Sequence, residues 1–262
     1  MNSTIFSVFV NSPTDGWMKE IPLLSSPWPV LLITVGYLLF VLKIGRWFME
    51  HRKPYNLKNA ILVYNAIQMI YNAYMFVHGF FINTPYNLYC METLPADHPI
   101  KNKERWISYV YFLNKVLDML DTVFFVLRKS YKQITVLHVY HHITMVCAPF
   151  LVMQLYGVGG QFAVMGLCNT FVHAVMYYYY FISAMYPGDR NHVWWKKYIT
   201  RLQIVQFVIL CTQSILMLLF NRGCGFPVLL QYLQLFESGA IMVMFGKFYY
   251  KAYIKPQNVK QQ

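Results

Sequence analysis

An all-α integral membrane protein is the fold class this sequence predicts, and three observations predict it. Hydrophobic residues make up 57% of the 262-residue chain and aromatic residues 18%, with a mean hydropathy of +0.37. Apolar windows of about 20 residues, the length at which a helix crosses a hydrocarbon core, recur along the chain. Cations gather between some of these windows and not others. No repeat, low-complexity tract or dividing linker interrupts the pattern, so residues 1–262 read as one domain. Met1 to Asp15 carry neither a basic n-region nor a small-residue cleavage site, so the first span is expected to serve as its own targeting signal. Membrane lipid is an expected partner, and nucleic acid is not.

Seven spans follow in order: Pro29 to Trp47, Ala60 to Phe81, Trp106 to Leu127, Ile134 to Met153, Gly160 to Met185, Ile199 to Phe220 and Val228 to Tyr249. The third and fourth are the weakest by hydropathy because they carry polar residues, and such helices must face protein rather than lipid. Charge placement supports the count independently. Lys43, Arg46, Arg52, Lys53 and Lys58 lie at or beyond the end of the first span, Arg128, Lys129 and Lys132 beyond the third, Arg190, Lys196, Lys197 and Arg201 beyond the fifth, and Lys247, Lys251, Lys255 and Lys260 at or beyond the end of the last. The positive-inside rule then puts the amino terminus on the lumenal or extracellular side and the carboxyl terminus in the cytosol. Much of the net charge of +12 sits on one face. Setting topology accounts for most of these lysines, and a basic rim also suits a phosphate-bearing substrate.

Within this apolar frame, His138-Val-Tyr-His141-His142 places three imidazoles at i, i+3 and i+4, on one side of a helix. A lone intramembrane histidine is most often a helix-to-helix hydrogen bonder. Three on one face, with His173 elsewhere, point instead to a reaction centre. Lys115, Asp118 and Asp121 lie among apolar residues just upstream, and Asn169, His173, Met176, Tyr177 and Tyr180 form a stripe at helical spacing. On that stripe Asn169 is placed to hydrogen-bond His173 and fix its tautomer. Two chemistries compete: metal ligation, as in membrane di-iron oxygenases with His-x-x-His-His boxes, and acyl transfer by a nucleophilic imidazole. Di-iron sites need many ligands, and His51, His78, His98 and His192 form no second box. A seven-span receptor or transporter leaves the concentration of polar groups on spans three to five unexplained.

These motifs together resemble the ELO family of very-long-chain fatty acid elongases over nearly the whole chain. The resemblance is carried by Lys115-x-x-Asp118-x-x-Asp121-Thr122, by Leu137-His138-x-x-His141-His142, by Asn169-x-x-x-His173-x-x-Met176-Tyr177-x-x-Tyr180, and by Trp194-Trp195-Lys196-Lys197-Tyr198 with Gln203 and Gln206. It implies seven transmembrane helices in the endoplasmic reticulum, six of them forming a barrel around a substrate tunnel closed toward the lumen. The implied reaction condenses acyl-CoA with malonyl-CoA to 3-oxoacyl-CoA, CO2 and CoA, with no cofactor and no metal. His141 is expected to take the acyl group, His138 and His142 to orient and exchange protons, and His173 to contact the thioester. Lys115, Asp118, Asp121, Thr122, Asn169, Met176, Tyr177 and Tyr180 are expected to line the substrate site, with Lys115 and Asp118 or Asp121 forming a buried pair. Lys196 and Lys197 are candidates for the CoA phosphates, or equally for an interfacial anchor. Expected partners are the ketoreductase, dehydratase and enoyl reductase of the elongation cycle, and a homo-oligomer. Cys147 and Cys168 remain competing nucleophiles outside the motifs.

Three features depart from the family pattern. Asp118 stands where glutamate is frequent, Glu237 sits inside the last span, and Lys260 is the single lysine of an incomplete dilysine signal. Gln133 and the Cys224-Gly-Phe-Pro227 segment resemble elongases of long or polyunsaturated chains. Cys90 and Cys224 fall in connections assigned to the non-cytosolic side, where a disulfide between them is permitted. A bridge and two free thiols are the alternatives, because their separation is not written in the sequence. Asn2-Ser3-Thr4 is a glycosylation acceptor on that same side.

Overall fold

The computed structural model of the chain describes residues 16–82, 87, 89–186, 194–220 and 223–255. Asn2, Arg190, His192 and Lys260 lie outside them. The described residues contain nine α-helices and no strand. Helix α1 (Pro27–Leu39) starts at Ser26, whose hydroxyl accepts from the Trp28 N–H, and has proline in its first turn, where a missing donor costs nothing. It runs through a π-helical turn, Phe40–Ile44, into α2 (Gly45–Met49). Glycine is required at that junction: a Cβ on Gly45 would sit 2.7 Å from the Phe40 carbonyl and 2.8 Å from Val126.

The remaining helices are α3 (Lys58–Ile82), α4 (Lys101–Asp118), α5 (Leu120–Leu127), α6 (Val136–Leu155), α7 (Phe162–Met185), α8 (Lys196–Phe220) and α9 (Val228–Tyr249). A second π-helical turn, Tyr250–Ile254, extends α9. Among the described residues, five segments are long and apolar enough to cross a membrane: Pro27–Met49, Lys58–Ile82, Val136–Leu155, Lys196–Phe220 and Val228–Ile254. The chain thus has the make-up of a multi-pass membrane protein.

Two of the sequence-predicted spans differ from this set. The third is divided at Met119, so that α4 and α5 are separate helices. The fourth, expected to be weak, qualifies with a mean hydropathy of 1.5, whereas the fifth does not. The reason is compositional. In α6 the three histidines are diluted by valine, isoleucine, methionine and phenylalanine, whereas α7 adds four consecutive tyrosines to Asn169 and His173.

Packing joins α3 to α4 and to α7, α7 to α8, α8 to α9, α9 to α6, and α6 to α4. Helix α1 lies against α6 and contributes Val30, Tyr37 and neighbouring residues to an apolar cluster with Phe112, Val146 and Phe150. At one end of the bundle Cys90 and Cys224 form a disulfide with a Cα–Cα distance of 5.7 Å. Close by, Gly157, Gly159 and Gly160 adopt positive φ in the α6–α7 connection. A Cβ on Gly159 would collide with the Glu104 carboxylate, so only glycine lets this loop close over the buried Lys101–Glu104 pair, 2.7 Å apart. Burial pushes the Glu104 carboxyl above its ordinary range, and Lys101 pulls it part of the way back.

Candidate active site

The polar centre is assembled from α3, α4, α5, α6 and α7. Helix α4 ends at Asp118 and α5 begins at Leu120, so Lys115, Asp118, Asp121 and Thr122 straddle the break. Lys115 Nζ donates to Asp118 Oδ2 at 2.8 Å and to Asn169 Oδ1 at 2.9 Å, and lies 5.1 Å from the centre of the Tyr111 ring. Lys115 is 1% exposed and Asp118 2%, so both charges are withdrawn from lipid. A pair this deep holds only because each charge is met by the other and by further hydrogen bonds. Asp118 Oδ1 accepts from Gln68 Nε2 at 3.0 Å and from Tyr177 OH at 2.9 Å. His173 Nδ1 stands 3.3 Å from both Asp118 Oδ2 and Lys115 Nζ.

Asn169 is therefore not the tautomer-setting partner of His173 expected from their spacing. Its Oδ1 accepts from Lys115 and, at 3.2 Å, from Tyr111 OH, and Asp118 and Lys115 are what meet His173. Of the two aspartates, Asp118 makes the ion pair; Asp121 Oδ2 lies 2.8 Å from the same Tyr177 hydroxyl. Met176 is buried and its sulfur accepts from Gln203 Nε2 at 3.5 Å. Tyr180 leaves the buried stripe and is 39% exposed, though its ring packs on Tyr177 with centroids 6.0 Å apart. Lys196 and Lys197 are exposed at the start of α8.

Helix α6 begins at Thr135, whose hydroxyl accepts from the His138 N–H and so fixes where the histidines emerge. His138 Nε2 shares a 2.8 Å hydrogen bond with Thr122 Oγ1, which is 2.8 Å from Tyr37 OH on α1. His142 packs edge-on to His138 with centroids 4.4 Å apart. His141 lies 5.8 Å from His142 and 6.5 Å from His173, ring centre to ring centre. Its Nδ1 is buried and has no hydrogen-bond partner among the described residues.

A cavity of about 330 Å³ extends from His141, and of the four candidate histidines His141 alone lines it. Its wall is mostly apolar, with Met75, Met145, Pro149, Phe162, Phe207 and Leu210 among its members, and it reaches Glu104 and Gly159 near the disulfide end. Pro149 has no N–H to give to the preceding turn of α6, and both it and Met145 face the cavity. Glu237 also lines the cavity and accepts from Tyr140 OH at 2.7 Å. Neither Cys147 nor Cys168 is part of the wall. Among the described residues, the His, Cys, Asp and Glu side chains grouped closely enough for a metal are Cys90, Glu92 and Cys224, and the two cysteines are joined as a disulfide.

Several members of this centre escaped the sequence reading. Gln68 is the most connected, accepting on Oε1 from Asn114 at 2.5 Å while donating to Asp118. A signal for it was present. Asn65, Gln68 and Asn72 recur at i, i+3 and i+7 in an otherwise apolar span, the same criterion that singled out Asn169 and His173. Tyr37, Tyr64 and Tyr111 carried no comparable signal in a chain with 22 tyrosines.

The five apolar spans and the apolar cavity onto which the half-buried His141 opens make a membrane protein with room for an apolar chain, and comparison with known proteins agrees. The model of the ELO, GNS1/SUR4 family matches residues 22–261. A very long chain fatty acid elongase F of Drosophila melanogaster is 42% identical over 243 residues, covering 90% of this chain and 93% of that protein. Very long chain fatty acid elongase 7 of Rattus norvegicus is 35% identical over 257 residues, covering 94% and 90%. Very long chain fatty acid elongase 4 of Homo sapiens is 32% identical over 263 residues, covering 99% and 82%. The chain belongs to the ELO family, and these relatives support a role in fatty acid elongation.

Proposed function

We propose that this protein condenses a long-chain or very-long-chain acyl-CoA with malonyl-CoA to give 3-oxoacyl-CoA, CO2 and CoA. The observation that carries this reading is His141, a histidine with a buried, unpartnered Nδ1 at the wall of an apolar cavity. An acyl chain in that cavity brings its thioester carbon to the imidazole. His141 attacks it, the C–S bond breaks, and CoA leaves with the proton that the imidazole gives up, leaving an N-acylimidazole. Malonyl-CoA then loses CO2, and the resulting enolate attacks the acyl carbon. The imidazole departs as its anion and takes up one proton, so each turnover consumes one proton.

In this reading the six rods α3, α4 with α5, α6, α7, α8 and α9, whose packing partners lead from each to the next and back, form a barrel around a substrate tunnel. Helix α1 with α2 is the seventh span, outside the barrel. The amino terminus is lumenal, the carboxyl terminus cytosolic, and the membrane is that of the endoplasmic reticulum. The disulfide then lies at the lumenal end, an oxidising compartment. Lys196 and Lys197 lie at the cytosolic rim, where CoA phosphates arrive. His173, held by Asp118 and Lys115 with its ring centre 6.5 Å from that of His141, contacts the thioester beside His141, while His138 and His142 orient the acceptor and pass protons. Thr122 and Tyr37 fix the His138 ring through the hydrogen-bond chain described above.

Purified protein supplied with malonyl-CoA and a panel of acyl-CoAs is expected to release products longer by two carbons. Failure to extend any of them, together with bound iron and oxygen-dependent turnover, would transfer the histidine box to an oxygenase.

A further inference from the structure

The hydroxyl of Tyr177 lies 2.9 Å from Asp118 Oδ1 and 2.8 Å from Asp121 Oδ2. A phenol has one proton to give. If both aspartates were ionised, one of these contacts would set two oxygen lone pairs together with nothing between them. Tyr64 does not relieve this, because its hydroxyl, 3.3 Å from Tyr177 OH, donates to the Leu117 carbonyl at 3.2 Å. A second proton has to lie in the Asp118–Tyr177–Asp121 cluster, and the surroundings decide where. Asp118 faces the Lys115 ammonium at 2.8 Å, accepts from Gln68 and meets His173. Among the described residues, Asp121 has no ion pair, and its hydrogen-bonding neighbours are the phenols of Tyr177 and Tyr64. An ionised Asp121 would be a second buried anion with only neutral partners.

We infer that Asp121 is a neutral carboxylic acid whose O–H donates to Tyr177, so that Tyr177 donates to Asp118 and Asp118 is left as the one ionised carboxylate of the centre. Both contacts of the Tyr177 hydroxyl with the aspartates then contain a proton, donated from Asp121 to Tyr177 and from Tyr177 to Asp118. Asp121 is accordingly a positioning residue. It locks Tyr177, Tyr177 aims Asp118, and Asp118 holds the His173 ring. The substrate-contact role expected for Asp121 from the sequence gives way to a donor role one shell further out. The link to His173 rests on the elongase reading; the protonated state of Asp121 does not.

The test follows from asparagine being the isostere of a neutral acid but not of an ionised one. Asp121→Asn keeps a donor toward Tyr177 and is expected to retain elongation within about threefold of the parent, whereas Asp121→Leu loses about tenfold or more and Asp118→Asn at least about a hundredfold. Infrared difference spectra of the resting protein, parent minus Asp121→Asn, should contain the C=O stretch of a protonated carboxylic acid that shifts in D2O and persists in Asp118→Asn. Absence of that band in the parent, or an Asp121→Asn variant as impaired as Asp121→Leu, overturns the assignment. If Asp121→Leu does not fold, the band and the Asp121→Asn rate still decide. A parent protein that extends no acyl-CoA sinks the elongase reading and leaves the infrared result to stand by itself.

Discussion

Two walls of this bundle bury polar side chains in different ways. The wall built by α3, α4 and α7 contains ions: Lys115 and Asp118 are paired and then surrounded by Gln68, Asn169, Tyr177 and His173. The wall between α8 and α9 is neutral. Gln234 donates to Gln213 at 3.3 Å and to Ser214 at 3.2 Å, Ser214 to Gln231 at 3.4 Å, and Ser238 to the Gln234 carbonyl at 2.6 Å. Gln231 Nε2 and Gln234 Oε1 find no partner among the described residues. Neutral amides between helices are ordinary membrane glue, worth about 1 kcal/mol each, and need no chemistry to explain them. A buried ion pair gives little net stability against an apolar replacement, so its presence beside a histidine is better explained by what it does to that histidine.

The comparison can be broken most severely at the histidines. His141→Ala and His173→Ala should each lower condensation by about a thousandfold or more while the protein remains folded and membrane-inserted, since what is lost is chemical. Near-parental turnover by His141→Ala would remove it as the nucleophile. Next comes the ion pair. Lys115→Met leaves Asp118 uncompensated and should cost about 3–5 kcal/mol, with Lys115→Met/Asp118→Leu recovering much of that. Thermal unfolding in detergent reads both, and a double variant as destabilised as Lys115→Met would mean that the orphan charge is not what costs. On the neutral wall, Gln234→Leu should cost only about 1 kcal/mol and leave turnover nearly intact; a loss as large as that of Lys115→Met would erase the distinction between the walls.

Smaller effects are expected away from both walls. Cys90 and Cys224 are 134 residues apart in sequence, and removing their bridge by Cys90→Ser should lower stability by about 2–4 kcal/mol without touching the histidines. Peptide mapping without reductant should recover the two cysteines in one linked pair; free thiols in freshly isolated, oxidised membranes would contradict it. Lys196→Gln/Lys197→Gln should raise KM for the CoA substrates a few-fold more than it lowers kcat, as expected for binding made equally in ground and transition states. Unchanged kinetics with altered membrane orientation would instead make these lysines anchors.

Much of the bundle was legible in the sequence because length and hydropathy decide it. The predicted second span, Ala60 to Phe81, lies within α3 (Lys58–Ile82), and the last, Val228 to Tyr249, coincides with α9. The break at Met119 was not legible, since no proline or glycine marks it. Polar residues were read as concentrated on spans three to five, yet Gln68, Gln206, Gln213, Gln231 and Gln234 are buried on spans two, six and seven. Glutamine in an apolar run attracts less notice than histidine or lysine, although the same burial argument applies. Faces are readable from spacing, but partners are not. Asn169 was correctly placed on the His173 face and wrongly paired, because its neighbour on another helix, Lys115, makes the stronger, charge-assisted bond. Glu237, which the sequence marks only as a departure inside the last span, lines the cavity and also takes the Tyr140 hydroxyl.

The central claim is covalent, and one experiment addresses it most directly. The protein is incubated with acyl-CoA alone, denatured, and examined by intact mass followed by peptide mapping of the adduct. An acyl group on His141, discharged to 3-oxoacyl-CoA when malonyl-CoA is added before denaturation, is the predicted result. An adduct that maps to Cys147 or Cys168, or no adduct under conditions that support turnover, would contradict it.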